Sequence, residues 1–329
     1  MAVTYFITRP RDFLMRQTFV DGLSHIVIPS IMIQEVTEPE KMLRALEKYI
    51  GICTITCVMQ FFTPVMAGNA YYSFSYLTFL PSAICFAYVL RGKSSKYIIP
   101  LIITMVTNLI YGGRGFFLCI AVFAFLYSFV YLKKDKAVMT FAIFFLIIVL
   151  LISLFGRWIA TAITGIGISS RTLSFLTGEI SDGSRLRIWR SLLSEFIKNP
   201  LKIRGLLSDR EYLANVYHHY TNVAIAGWYS HNFVIEILFE LGIAGLGVLL
   251  IVAKHFVYVI KKLKSENDDD GLILFIIIAS LFLGKMSISS SYLIDLSTGI
   301  FMGFLLVYKK IAFCKEVSSG GNLRTLSES

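Results

Sequence analysis

Stretches of about 20 apolar residues recur along this chain, and a helix of that length crosses the ~30 Å hydrocarbon layer of a bilayer. Lipid offers the backbone no hydrogen-bond partners, so each run must satisfy its own N–H and C=O groups as a helix. The chain is therefore expected to be an all-α polytopic membrane protein. Its composition agrees, with 56% hydrophobic and 16% charged residues among 329. A soluble domain carries roughly 25% charged residues, so an ordinary water-soluble enzyme is excluded.

About eight transmembrane helices are expected, at 49–67, 71–90, 97–111, 115–132, 137–156, 232–253, 271–289 and 292–308. The segment 19–34 is apolar but holds Asp21, His25 and Pro29, and reads as an interfacial or re-entrant piece. Orientation follows from the rule that cytoplasmic loops retain Lys and Arg. Segments 91–96, 133–136, 254–264 and the tail after 308 carry three, three, four and four of them, and all fall on one face of the eight-span arrangement. The short connections on the other face carry only Arg114 and Lys285. The chain then divides into a cytoplasmic or interfacial N-terminal segment (1–48), five helices (49–156), one large extracytoplasmic loop (157–230), three helices (231–308) and a cytoplasmic tail (309–329).

The net charge of +10 would suggest nucleic-acid binding in a soluble protein. Here topology accounts for most of it, and no nucleic-acid partner is expected. No metal or other cofactor is expected either. Cys53, Cys57, Cys85 and Cys119 lie inside apolar stretches and Cys314 in the tail, without zinc or disulfide spacing. His218-His219 lacks acidic or Cys partners at ligand spacing, and Asp268-Asp269-Asp270 reads as a solvated cytoplasmic loop.

The outer loop holds nine basic residues against five acidic ones, an excess that asks for an anionic partner. Leu186, Trp189, Leu192, Leu193, Phe196 and Ile197 recur at helical spacing, and Asn199-Pro200 ends the run, so an amphipathic helix over 184–198 is expected on the outer leaflet. Arg185 near its N-terminus is placed to bind phosphate, while Arg187 and Arg190 face solvent or headgroups. Arg114 sits in Gly112-Gly113-Arg114-Gly115 at the tip of a hairpin, after a span of only about 15 residues. A guanidinium slightly sunk in the membrane there must meet headgroups, water or a substrate phosphate.

At the outer end of the sixth expected span stands Ser230-His231-Asn232. The positive end of a helix dipole disfavours imidazolium, and a neutral His231 can accept a proton from a sugar hydroxyl. Glu236 and Glu240 follow Asn232 at one and two turns on the same stripe, where they would orient His231 or pair with an outer arginine. Gly242, Gly245 and Gly247 would allow close helix packing.

His231-Asn232, nine intervening residues and Gly242-x-x-Gly245 resemble the signature of the bacterial O-antigen ligase and O-antigen polymerase family. Agreement extends to the Gly-Arg-Gly hairpin at Arg114, to Arg185 with Trp189 four residues on, and to Phe196 through Asn199-Pro200-Leu201, and covers roughly residues 95–310. Where the family often has a Gly-x-Gly turn, this chain has Lys202-Ile203-Arg204-Gly205.

The resemblance implies a GT-C-like, inverting, metal-independent glycosyltransferase of the inner or plasma membrane, acting on the extracytoplasmic face. Its donor would be a polyprenyl-diphosphate-linked oligosaccharide, with Arg114 and Arg185 on the diphosphate and His231 on the acceptor hydroxyl. Arg187, Arg190, Asn232, Glu236 and Glu240 are the accompanying substrate-binding candidates. A flippase and a chain-length regulator are the protein partners it raises. The leading expectation is a polymerase of surface polysaccharide such as O-antigen or capsule. A ligase to lipid A core or protein is the alternative, and a flippase of lipid-linked glycan a second one.

Overall fold

The computed structural model describes residues 19–34, 39–62, 70–111, 114–131, 161, 183–217 and 229–306. Among them there are helices, turns and loops but no strand. The helices are α1 (Phe19–Gln34), α2 (Pro39–Phe62), α3 (Ala70–Leu90), α4 (Ile98–Tyr111), α5 (Arg114–Tyr131), α6 (Gly183–Lys198), α7 (Ser208–Val216), α8 (Phe233–Leu241), α9 (Ala244–Ser265), α10 (Asp269–Ile288) and α11 (Leu296–Leu306). The fifth expected span, 137–156, lies outside the described residues, as do His218-His219 and the tail from 307.

Two described helices, α9 and α10, have the length and hydropathy of a membrane span. They use it differently. In α10, 78% of the apolar window is buried inside the protein, as suits a helix that is hydrophobic all round. In α9 only 17% is buried, which leaves Leu246, Val248, Leu250, Ile251 and Val257 exposed and in need of an apolar solvent. Shorter apolar helices occupy 19–34, 74–90, 95–110, 115–131 and 296–306.

The sixth expected span is corrected. It is not continuous over 232–253, because the helix stops at Leu241 and restarts at Ala244. Nor is 254–264 a loop, because α9 continues to Ser265. Gly242 breaks the helix with φ +61° and ψ −148°. Beyond it, Lys262 and Lys264 suit the negative end of the α9 dipole, and Lys262 pairs with Glu266 at 3.4 Å. At about 1.5 Å per residue α9 is roughly 33 Å long.

The segment 19–34 is a helix with a π-turn at Leu23–Val27. Ser30 Oγ donates to Gly299 O at 2.8 Å, and a Cβ on Gly303 would stand 2.9 Å from Ser30 O. Small residues four apart on α11 thus admit the α1 backbone. The first expected span begins earlier than expected, at Pro39, a residue whose missing N–H and fixed φ suit a first helical position. The Asp268–Asp270 run opens α10, with Asp268 Oδ1 accepting Gly271 N–H at 2.9 Å.

The chain forms two compact units, one of residues 1–39, 192–272 and 290–329 and the other of 40–191 and 273–289. In the second, α3 packs on α4 and α5 around Phe79, Phe86, Phe116, Phe123 and Tyr127. Polar bonds tie α3 to α4: Ser82 Oγ donates to Thr104 Oγ1 at 2.8 Å and Asn108 Nδ2 to Thr78 Oγ1 at 2.9 Å. In the first unit, Leu207, Ala214 and Leu293 form a small core flanked by Leu206, Tyr292 and Ile294. The site described next is built on that core.

Candidate functional site

The amphipathic helix forms as its periodicity requires: α6 runs from Gly183 to Lys198 and ends at Asn199-Pro200. Ile188 and Leu192 are buried, whereas Leu186 and Ile197 are exposed. Arg185 is half-buried, and Arg187 and Arg190 are exposed.

After Pro200 the chain folds back to cap α8. The last turn of a helix leaves its carbonyls without partners. Here Glu240 O accepts both Arg204 N–H and Gly205 N–H, at 2.8 and 2.9 Å. Arg204 also donates to Glu195 O at 2.9 Å, and its guanidinium carbon lies 4.7 Å from the Phe239 ring centroid. Ile243 N–H donates to Pro200 O at 2.8 Å. This contact is close enough to require glycine: a Cβ on Gly242 would stand 2.7 Å from Pro200 O and 2.9 Å from Lys202 O. Gly242 therefore makes room for a loop backbone and not for a neighbouring helix as expected. Gly245 likewise meets Ile237 O, at 2.7 Å, while Gly247 meets nothing within 4 Å.

At the other end of α8, Asn232 Oδ1 accepts Val234 and Ile235 N–H at 3.0 and 3.1 Å. That carbonyl is thus committed to the helix cap. Ser230 Oγ donates to Asn232 O at 2.9 Å, closing a tight turn in which His231 has φ +53°. His231 is half-buried against Tyr229, with ring centroids 3.9 Å apart. The turn is anchored from outside by Asp209, whose Oδ2 accepts Ser230 N–H at 3.0 Å.

Asp209, Glu236 and Glu240 are all fully buried, and one oxygen from each lies within 4.8 Å of the others. Their hydrogen bonds tie four segments together. Asp209 Oδ1 accepts Arg210 N–H at 2.8 Å. Glu240 Oε1 accepts Leu207 N–H and its Oε2 accepts Tyr292 O–H, each at 2.6 Å, and Glu236 Oε1 accepts Ser291 O–H. Oxygens this close are within the ligand sphere of a single cation. Here, however, five of the six already hold N–H or O–H donors, and Arg210 supplies positive charge. Burial pushes the Asp209 carboxyl above the ordinary aspartate range, opposed by Arg210 and by the Ser230 N–H.

Arg210 itself is only 3% exposed, and its Nε and Nη2 are buried with no hydrogen-bond partner among the described residues. Its guanidinium carbon lies 5.4 Å from the centroid of the Tyr229 ring that packs, tilted by 40°, against His231.

The structure therefore brings His231, Asn232, Glu236 and Glu240 together in one unit, as their spacing predicts, and adds Asp209, Arg210, Tyr229, Ser291 and Tyr292. In sequence, Asp209 and Arg210 are two of fourteen charges in an outer loop, with no periodicity to mark them as buried.

Arg114, Arg185, Arg187 and Arg190 belong to the other unit. Arg114 opens α5, and the following Gly115 packs against the Tyr76 ring. Tyr76 O–H donates to Ser289 Oγ at 2.6 Å, and Lys285 Nζ lies 4.9 Å from its ring centroid. Lys285 thus lies over the ring that Gly115 meets.

Residues 97–250 match the model of the family described as O-antigen ligase. No curated protein matches the chain.

Proposed function

We propose that this chain, whose residues 97–250 match the family described as O-antigen ligase, is a membrane glycosyltransferase that joins polyprenyl-diphosphate-linked oligosaccharides into surface polysaccharide. The observation that carries the reading is that a single family match spans Arg114, Arg185 and His231, with His231 held in a turn that the protein over-determines. His231 takes the proton of the acceptor hydroxyl as its oxygen attacks the anomeric carbon. The bond from that carbon to the phosphate oxygen breaks, and the polyprenyl diphosphate leaves with the electron pair. Attack from the face opposite the leaving group inverts the anomeric centre.

Arg114 and Arg185 neutralise the charge that develops on the diphosphate, stabilisation that a water-poor site magnifies. Guanidinium charge does here what a divalent cation does elsewhere, so the reaction is metal-independent. The acceptor is the non-reducing end of another lipid-linked unit, and the enzyme works at the extracytoplasmic face of the inner or plasma membrane. Partnership with a flippase and a chain-length regulator belongs to the same reading.

The test is glycan profiling of cells in which the chromosomal copy is replaced by variants of matched membrane abundance. His231→Ala should accumulate lipid-linked single units and make no polymer. Arg114→Lys and Arg185→Lys should be strongly impaired, since an ammonium cannot reproduce bidentate phosphate contact. Normal polymer from His231→Ala refutes the mechanism. Full-length but unattached chains on deletion make the enzyme a ligase, and precursor trapped on the inner face makes it a flippase.

A further inference from the structure

A guanidinium that is almost completely buried normally directs its five N–H groups at carboxylates, carbonyls or water, because leaving donors unsatisfied costs about 1–3 kcal/mol each, more when charged. Arg210 departs from this. Three carboxylates surround it electrostatically, yet five of their six oxygens take N–H and O–H groups from Leu207, Arg210's own backbone, Ser230, Ser291 and Tyr292. The side-chain Nε and Nη2 are buried and donate to none of them. The carboxylate field offsets the cost of holding a cation inside the protein while leaving its Nε and Nη2 donors unused. A donor pair held ready in that way suits an oxyanion that arrives later.

The surroundings say where the oxyanion would lie. Arg210 is over the ring of Tyr229, and Tyr229 packs against His231 at a tilt of 40°, so the donor pair is one aromatic ring away from the imidazole assigned to the acceptor hydroxyl. We infer that Arg210 is a third phosphate-binding arginine, donating from Nε and Nη2 to a phosphate of the lipid-linked substrate beside His231. This rests on the reading above and adds a residue that neither motif spacing nor the Gly-Arg-Gly hairpin marks.

The test measures binding of inorganic pyrophosphate to the full chain in detergent by calorimetry, independently of polymer formation. Arg210→Gln should weaken binding by about tenfold or more, the loss of at least one charge-assisted hydrogen bond. Since removing the cation also unbalances three buried carboxylates, the double variant D209N/R210Q, which preserves the net charge of the cluster, is measured alongside. It too should bind at least about tenfold more weakly.

Unchanged affinity in either folded variant overturns the assignment and leaves Arg210 as a counter-charge to the acidic cluster. If Arg114→Lys and Arg185→Lys weaken binding while the Arg210 variants do not, only this inference fails. If the unsubstituted chain binds no pyrophosphate, the diphosphate reading falls with it.

Discussion

Gly242→Ala is the substitution whose cost the geometry defines best. At φ +61° and ψ −148° the backbone lies where essentially only glycine is found, and holding a residue with a Cβ there costs about 1–3 kcal/mol. The added methyl would also press on Pro200 O at 2.7 Å and Lys202 O at 2.9 Å, both backbone atoms with no rotamer to yield. Relief means moving the 199–205 loop, which strains the Ile243-to-Pro200 bond and the two bonds to Glu240 O, each worth about 1 kcal/mol. A total of about 3–5 kcal/mol follows, a large fraction of the ~5–15 kcal/mol that holds a typical domain together. At about 2–4 °C per kcal/mol this lowers the thermal midpoint of the detergent-solubilised protein by on the order of 10 °C. Gly247→Ala is the matched control. It lies inside α9 with nothing within 4 Å, so alanine should leave stability unchanged or raise it by about 0.5–1 kcal/mol. A fall of less than about 2 °C in Gly242→Ala would refute the argument that the loop backbone, and not helix packing, demands glycine there.

Two further outcomes are expected. Glu240→Ala strands the Leu207 N–H and the Tyr292 O–H, at a cost of about 2–4 kcal/mol. Glu240→Gln keeps one acceptor and should lose less than half of that, as read from the two thermal midpoints. Asp209 titrates above its ordinary value in the folded protein, so the folded state holds the proton more tightly than the unfolded one. Its contribution is most favourable below the unfolded value of about 3.9 and is lost as pH rises from there through the raised folded value. Asp209→Asn should therefore gain stability relative to the unsubstituted protein across that rise, in thermal midpoints taken from pH 4 upward; parallel curves would refute it.

The parts of this fold that were legible in sequence are those set by local periodicity. The α6 helix follows from the spacing of its apolar residues and a Pro stop, and α10 from an unbroken apolar run. The break at Gly242 was not legible. The residues on both sides are apolar, and a glycine that admits a helix looks in sequence like one that admits a loop. The site divides along the same line. Asn232, Glu236 and Glu240 were legible because a helix stacks residues four apart on one face. Asp209 and Arg210 lie more than twenty residues before them, and only tertiary folding buries that acid and base while their neighbour Glu211 stays exposed.

The Lys202-Ile203-Arg204-Gly205 segment acts through its backbone, which donates Arg204 and Gly205 N–H to Glu240 O. What this loop must do is present two consecutive N–H groups to the end of α8, a task that depends on backbone conformation more than on side-chain identity. Gly205 keeps the permissive residue where φ is +90°. Arg204 contributes a guanidinium that binds Glu195 O and lies over Phe239, adding a cation at the negative end of the α8 dipole. The same short helix thus has both ends fixed by other segments, its C-terminus by this loop and its N-terminal turn by Asp209. His231 sits in that N-terminal turn, held by the Ser230 and Asp209 bonds, and the base role proposed for it requires a proton acceptor positioned to within a fraction of an ångström.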